Sequence, residues 1–358
     1  MERGLRRERL AARLPELGIE ALYVTRLPNV RYLTGFTGSN AQLLVTAGGA
    51  VLFTDGRYEE QARAEVPDLA RTIYRDGVAP VIPAATGRGV GRLGFESAGL
   101  THRDWERLRQ RSEGIELVPV GPEVERLRRV KDAGEVALIA RAQDAADAAF
   151  ERVVLGGALR EGLTERELAL ELELAMRRGG ADGVGFPTIV AFGEGAAEPH
   201  HHPTDRPLAR GDVVKVDFGA EVEGYRSDMT RTVAFGRPPE RLVEVHALVT
   251  EANRAGLEAA RDGASTREVD LAARRVIEAV GLPEAFPHGL GHGVGLEIHE
   301  EPFLRWDRED VLAAGMVVTI EPGVYLPGLG GVRIEDMVEV TMDGCRPLAR
   351  SPKELVRL

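Results

Sequence analysis

Cysteine is almost missing: one residue, Cys345, in 358. A lone cysteine excludes an intramolecular disulfide framework, suits a reducing compartment, and is read as a structural thiol. Lysine is nearly as scarce, with three against 43 arginines. Even so, the 46 basic residues are outnumbered by 57 acidic ones, for a net charge of -11. That balance gives no electrostatic footprint for nucleic acid or an anionic membrane, whose polyanionic surfaces it would repel overall. No stretch approaches the roughly 18 consecutive apolar residues of a membrane span. The opening "MERGLRRERLAARL" is basic and amphipathic but has neither the apolar centre nor the small-residue cleavage site of a secretory leader. The expectation is a cytoplasmic protein with no nucleic-acid partner and no membrane partner.

A length of 358 residues, 43% hydrophobic and 29% charged, fits two globular domains, each able to bury a core. Across residues 1–121, short apolar runs ("IEALYVT", "AQLLVT", "AVLFTDGRY", "RTIYR", "RLGFES", "IELVPV") alternate with helical patterns such as "HRDWERLRQRS". This predicts an α/β domain, with "TAGG" at Thr46–Gly49 turning one hairpin. Pro and Gly in "PVGPE" mark a boundary near Gly121. Residues 122–358 then open on one long helical pattern through "FERVV". A second helix follows, with a capping box through Thr164 and Glu167. Two more helical patterns and antiparallel strand runs complete an α+β domain.

The polar residues of interest lie on those strand runs. In "DVVKVDFGAEVEGYRSDMTRTVAF", Asp217 and Asp228 are equidistant from a midpoint between Val222 and Glu223, so simple hairpin pairing sets them face to face. In "GMVVTIEPGVYLPGLGGVRIEDMVEV", Glu321 and Glu335 are equidistant from Gly328. Either pair alone reads as ordinary surface acids. Two facing pairs on half-buried strands call for protonation or for a cation between them. Near them in interest stands "HGLGHGVGLEIHE". Its glycines disfavour a helix and match neither HExxH nor a phosphate loop, which suggests an extended segment with room for a close approach. Carboxylates with one or more histidines form an oxygen-rich site for hard or borderline divalent metals.

The ordered set "VDFGA…GYRSDMTRT", "HGLGHGVGLEIHE", "TIEPGVY" and "GVRIED" resembles the pita-bread metallopeptidases: methionine aminopeptidase, aminopeptidase P and prolidase. The N-terminal region, with "NVRYLTGFTGSN" and "TDGRYEEQA", is similar to the creatinase-type N-terminal domain of the Xaa-Pro branch. The resemblance implies residues 1–121 as a creatinase-like α/β domain and 122–358 as a pita-bread α+β catalytic domain. It implies two divalent ions per chain, with manganese expected first and cobalt, zinc or iron as alternatives. Asp217 would chelate one ion, Asp228 and Glu335 would bridge both, and His292 and Glu321 would complete the other. Glu321 would also shuttle the proton, and His200 and His299 would handle the substrate and the tetrahedral intermediate. His288 would shape the substrate pocket, and Arg333 would orient a ligand carboxylate beside the substrate. His201 and His202 are read as loop residues without a role, and the glycines as clearance for a peptide.

The implied substrate is a proline-containing peptide cut at the Xaa-Pro bond, whose tertiary amide has no N–H and whose ring fixes φ. Aminopeptidase P is favoured on "GFTGSN" and "PHHHPTDR". The alternative is a prolidase confined to dipeptides, which would need a cation for the proline carboxylate from Arg31, Arg57 or Arg333. A metal-free peptide-binding module of the same fold is the third reading. A homodimer is expected.

Overall fold

The computed structural model describes residues 2–75 and 80–358 and divides into two compact units, Met1–Arg128 and Arg129–Leu358. The division falls beyond the expected boundary at Gly121. The reason is local: the helix Glu123–Arg129 follows the Pro/Gly break yet bonds backwards. Asn29 Nδ2 donates to Glu125 at 2.9 Å, and Arg128 donates to Asn29 Oδ1 at 2.7 Å. The long helix expected from residue 123 onward is also broken. Asp132 and Glu135 cap each other reciprocally and start a new helix, Ala133–Ala149, whose end passes into a π-helical turn over Phe150–Leu155.

In the first unit, six strands (Ala21–Val24, Ala41–Thr46, Gly49–Asp55, Ala70–Tyr74, Arg92–Glu96, Glu116–Val120) form one sheet in the spatial order fourth, third, second, first, fifth, sixth. Only the second strand runs antiparallel to its neighbours, through the hairpin that pairs Thr46 with Gly49. Leu44, Phe53, Leu93 and Phe95 fill the core on one face. The α/β expectation for this region holds.

The second unit is α+β, and its strand ladders are antiparallel. Helices Glu240–Ala259 and Thr266–Glu278 pack their Val245, Val249, Ala252, Val269, Ala273 and Ile277 against Val318, Ile320 and Val338 of a five-stranded sheet. The helix Glu165–Arg178 starts with the capping box read from Thr164 and Glu167.

Two hairpins position the acids, and they differ. Around Gly328 the register is continuous: Gly323 pairs with Arg333, and further out Ile320 pairs with Asp336. Glu321 and Glu335 therefore stand opposite each other where the ladder leaves one sheet for the next, as the sequence predicts. The other hairpin turns at Glu223 and Gly224, both left-handed at φ 48° and 79°, as a two-residue hairpin turn demands. Its centre lies one residue beyond the expected midpoint, so Asp217 pairs with Thr230 and not with Asp228. Asp228 sits diagonally across on the same face, opposite Gly219, whose Cβ would fall 1.8 Å from the Ser227 carbonyl oxygen.

Candidate functional site

A cavity of about 370 Å³ in the second unit is lined by all nine residues singled out from the sequence: Asp217, Asp228, His292, Glu321 and Glu335, with His200, His288, His299 and Arg333. Phe186, Ile189, Ile298 and Phe303 give it apolar walls. Asp228, His292 and Glu335 each bring one ligand atom to within 4.8 Å of the others, and all three are buried. His292 Nε2 also lies 3.4 Å from Glu321 Oε1 and 3.7 Å from Asp228 Oδ2.

This crowding has a cost that names its occupant. Burial, followed by the neighbouring acids, raises Asp228 and Glu335 well above the usual carboxylate range. Burial likewise pushes Glu321 up to about 8. Burial, with His299 next to it, pushes His292 down to about 3, so its ring is neutral. His292 Nδ1–H donates to the Gly293 carbonyl at 3.1 Å, which leaves the Nε2 lone pair aimed at carboxylate oxygens. An acceptor facing carboxyl oxygens needs either a proton held by one of them or a cation between them. Asp217 adds a buried Oδ1 with no partner among the described residues, while Arg333 Nη2 holds its other oxygen. The donor set fits divalent metal, and the residues that would hold it are Asp217, Asp228, His292, Glu321 and Glu335.

Outer contacts fix these groups. Thr230 Oγ1 donates to Glu335 Oε2 at 2.7 Å and accepts from Arg333 Nε at 3.0 Å. Thr319 Oγ1 donates to Glu321 at 3.3 Å and accepts from the His292 amide at 3.0 Å. Asn253 donates to the Ile320 carbonyl at 2.9 Å, anchoring the chain just before Glu321. Arg333 is 3% exposed, and its Nη1 donates to Tyr325 Oη at 2.8 Å and to the Pro199 carbonyl at 3.0 Å. Every nitrogen of its guanidinium is thus engaged by protein, which suits an orienter of Asp217 better than a binder of substrate. Tyr325, having accepted from Arg333, donates to His288 Nε2 at 2.8 Å, and His288 Nδ1–H donates to the Gly289 carbonyl at 2.8 Å. His288 is neutral, pushed down to about 3 by burial, with both nitrogens bound internally; it shapes the wall. His299 packs edge-on against His292 with ring centroids 4.4 Å apart, while His200 is exposed at the rim.

Three readings change. The glycines of "HGLGHGVG" clear space for protein and not for a peptide. A Cβ at Gly291 would lie 2.0 Å from the Thr319 carbonyl oxygen, and one at Gly293 would lie 2.5 Å from that of Glu301. One at Gly289 would lie 2.4 Å from Arg305 Cγ. His201 is no idle loop residue: it is buried and bonded to Glu165 at 2.9 Å and to Glu198 at 2.7 Å. Among the arginines, the sequence missed Arg305, which lines the cavity and pairs twice with Asp307 at 2.9 Å. Arg57 is engaged by Asp55 in the first unit. His202 lines the cavity rim and is exposed.

The profile of "Metallopeptidase family M24" matches residues 137–342, and that of the "Creatinase/Prolidase N-terminal domain" matches residues 6–130. An Xaa-Pro dipeptidase of Pyrococcus horikoshii is 36% identical over 94% of this chain and 95% of its own. Among solved structures, an Xaa-Pro dipeptidase from Bacillus anthracis superposes with a TM-score of 0.96 at 38% identity, over 99% of this chain and 100% of that one. An X-Pro aminopeptidase from Thermotoga maritima gives 0.91 at 35% identity, over 98% and 99%. The creatinase-type and pita-bread architectures are those of this chain. No helix among the described residues is long and apolar enough to cross a membrane.

Proposed function

The chain belongs to metallopeptidase family M24 and is a hydrolase of its Xaa-Pro branch, and from that premise we propose that it is a dinuclear-metal enzyme cleaving Xaa-Pro dipeptides. The observation that carries this is the convergence of Asp217, Asp228, His292, Glu321 and Glu335 on one cavity with apolar walls suited to a proline ring. Asp217 would hold one ion, His292 and Glu321 the other, and Asp228 and Glu335 would serve both; manganese is the first metal to test. When bound, such ions polarise the scissile carbonyl and lower the pKa of a water towards neutrality.

The chain's own residues do the rest. Glu321 takes the proton released as water attacks and delivers it to the departing imino nitrogen. Its side chain, 17% exposed, lines the cavity that the substrate would enter. His299, neutral because burial and then His200 depress its pKa, offers a ring nitrogen to the substrate backbone without adding charge. His200 faces the same space from the opposite loop and steadies the tetrahedral intermediate. Arg333, through Asp217, keeps the ligand carboxylate in place.

The dipeptide reading is preferred to the aminopeptidase P reading of the sequence on one further observation. Arg305 gives the cavity a half-exposed cation, anchored by Asp307, that can hold a free proline carboxylate. The test compares an Xaa-Pro dipeptide with an Xaa-Pro-led tetrapeptide, with added Mn and with chelator. Selective, chelator-sensitive turnover of the dipeptide is expected, with Arg305→Ala raising its KM. Equal or faster turnover of the tetrapeptide would restore the aminopeptidase P reading. Homodimerisation and a cytoplasmic location remain part of the proposal.

A further inference from the structure

His200 lies on a segment held at several points on either side of it. Its own ring, exposed at the rim of the cavity, has no hydrogen-bond partner among the described residues. Lys215 is fully buried on the strand Val213–Phe218, and its Nζ donates to the Ala196 carbonyl at 3.1 Å and the Glu198 carbonyl at 2.5 Å. Two main-chain oxygens, in place of a carboxylate, are a costly reason to bury an amine. A thioether or alkyl chain of the same length would fill that place without the cost, so what the position supplies is the two donated bonds and an amine 5.2 Å from the centroid of the Tyr325 ring. Those bonds are available to the amine whether or not it carries a third proton.

Glu165, also fully buried, sits in the first turn of the helix Glu165–Arg178 and grips both flanks of the same segment. Its carboxylate accepts from the Phe192 amide at 2.9 Å on one side. On the other it accepts from the Thr204 amide at 2.8 Å and Thr204 Oγ1 at 2.6 Å, and it bonds His201 Nε2 at 2.9 Å. Arg333 holds the Pro199 carbonyl between them. The main chain is therefore fixed on both sides of His200, while its ring faces the cavity.

We propose that Lys215 and Glu165 are positioning residues that act on the reaction through His200, by fixing the 196–204 segment at the rim of the cavity. The proposal rests on the reading above that His200 steadies the tetrahedral intermediate. Neither residue contacts the reacting atoms.

The experiment uses the full chain loaded with Mn and the variants Lys215→Met and Glu165→Gln, each alone and combined with His200→Ala. Lys215→Met is expected to lower kcat by about 10- to 100-fold, the scale of an ångström-level misplacement, with KM and Mn content close to those of the unaltered protein. On top of His200→Ala, the same substitution should change kcat by less than about twofold, because an effect routed through one ring disappears with it. Glu165→Gln should act in the same direction and guards against a Lys215 variant that fails to fold. An equal fall in both backgrounds, or no fall in either, overturns the proposal. Hydrogen exchange decides it independently of turnover. Amides within 196–204 should lose protection in Lys215→Met while those of Val213–Phe218 and Met229–Ala234 keep theirs. Unchanged exchange overturns the positioning role whatever the substrate. A chain that cleaves no Xaa-Pro bond but shows the exchange effect would instead sink the proposed function and leave the positioning standing.

Discussion

Two hairpins of the second unit each carry a pair of acids into one cavity, and they do it by different geometry. In the hairpin centred on Gly328, Glu321 and Glu335 lie directly opposite, because the pairing keeps one register through the change of sheet. In the hairpin that turns at Glu223 and Gly224, the pair is diagonal and Thr230 takes the place across from Asp217. The diagonal is what lets the two hairpins interlock. Thr230, standing opposite one acid of its own hairpin, hydrogen-bonds Glu335 of the other, and Arg333 of the second hairpin reaches back to Thr230 and Asp217. A metal centre assembled from two ladders needs such cross-links, because neither hairpin alone sets the spacing between the acid pairs.

The comparison can be broken most severely at the two residues proposed to serve both ions, one per hairpin. Asp228→Asn and Glu335→Gln should each reduce kcat/KM by more than the about 100-fold that marks the upper range for outer partners of a metal site. Steady-state kinetics with saturating Mn is the check, and near-normal activity in either variant would remove that residue from the ligand set.

Next in size is the cross-link itself. Arg333→Met leaves Asp217 buried without its partner, and breaking a buried pair on one side costs about 3–5 kcal/mol. A lowered melting temperature together with a 10- to 100-fold rise in the Mn dissociation constant is expected, the latter about the usual effect of an outer-sphere loss. Thermal unfolding and calorimetric titration read the two separately.

How much of this was legible beforehand depends on the range over which each feature is encoded. The six strands of the first unit were visible because apolar runs and turn residues are local signals. The Glu321–Glu335 pairing was visible because its turn is symmetric about Gly328. The other register was missed by one residue because Glu223, a residue that seldom takes a positive φ, occupies a left-handed position in the turn. The helix break at Asp132 carries a local signature, Asp132 followed by Glu135, that a reading of the apolar period alone passes over. Eight of the nine candidate site residues lie in one ordered set of motifs, and His200 lies in the separate "PHHHPTDR". The residues that hold them, such as Thr230, Thr319, Tyr325 and Asn253, contact partners distant in sequence and have no local pattern of their own. The glycines were misread for the same reason: what fills the space above Gly291 is a strand 28 residues away at Thr319.

Smaller substitutions sharpen the contrast. Thr230→Val should weaken Mn binding more than Thr319→Val, since the first hydroxyl joins the two hairpins at 2.7 Å and the second makes a 3.3 Å contact within one. Calorimetric titration of both variants ranks them, and the reverse order would move the weight of the site to the Gly328 hairpin. The smallest expected effect is at the turn. Glu223→Asn, better suited to positive φ before a glycine, should raise stability by about 0.5 kcal/mol without changing kcat. Chemical denaturation measures it, and a loss of stability would mean the Glu223–Arg141 ion pair outweighs the turn conformation.

The most direct test of the central claim, that these two hairpins and His292 build a two-ion centre, is the stoichiometry of Mn binding to the full, chelator-stripped chain by isothermal titration calorimetry. Saturation at two ions per chain is expected. Saturation at one ion, or no saturable binding, would contradict a two-ion centre.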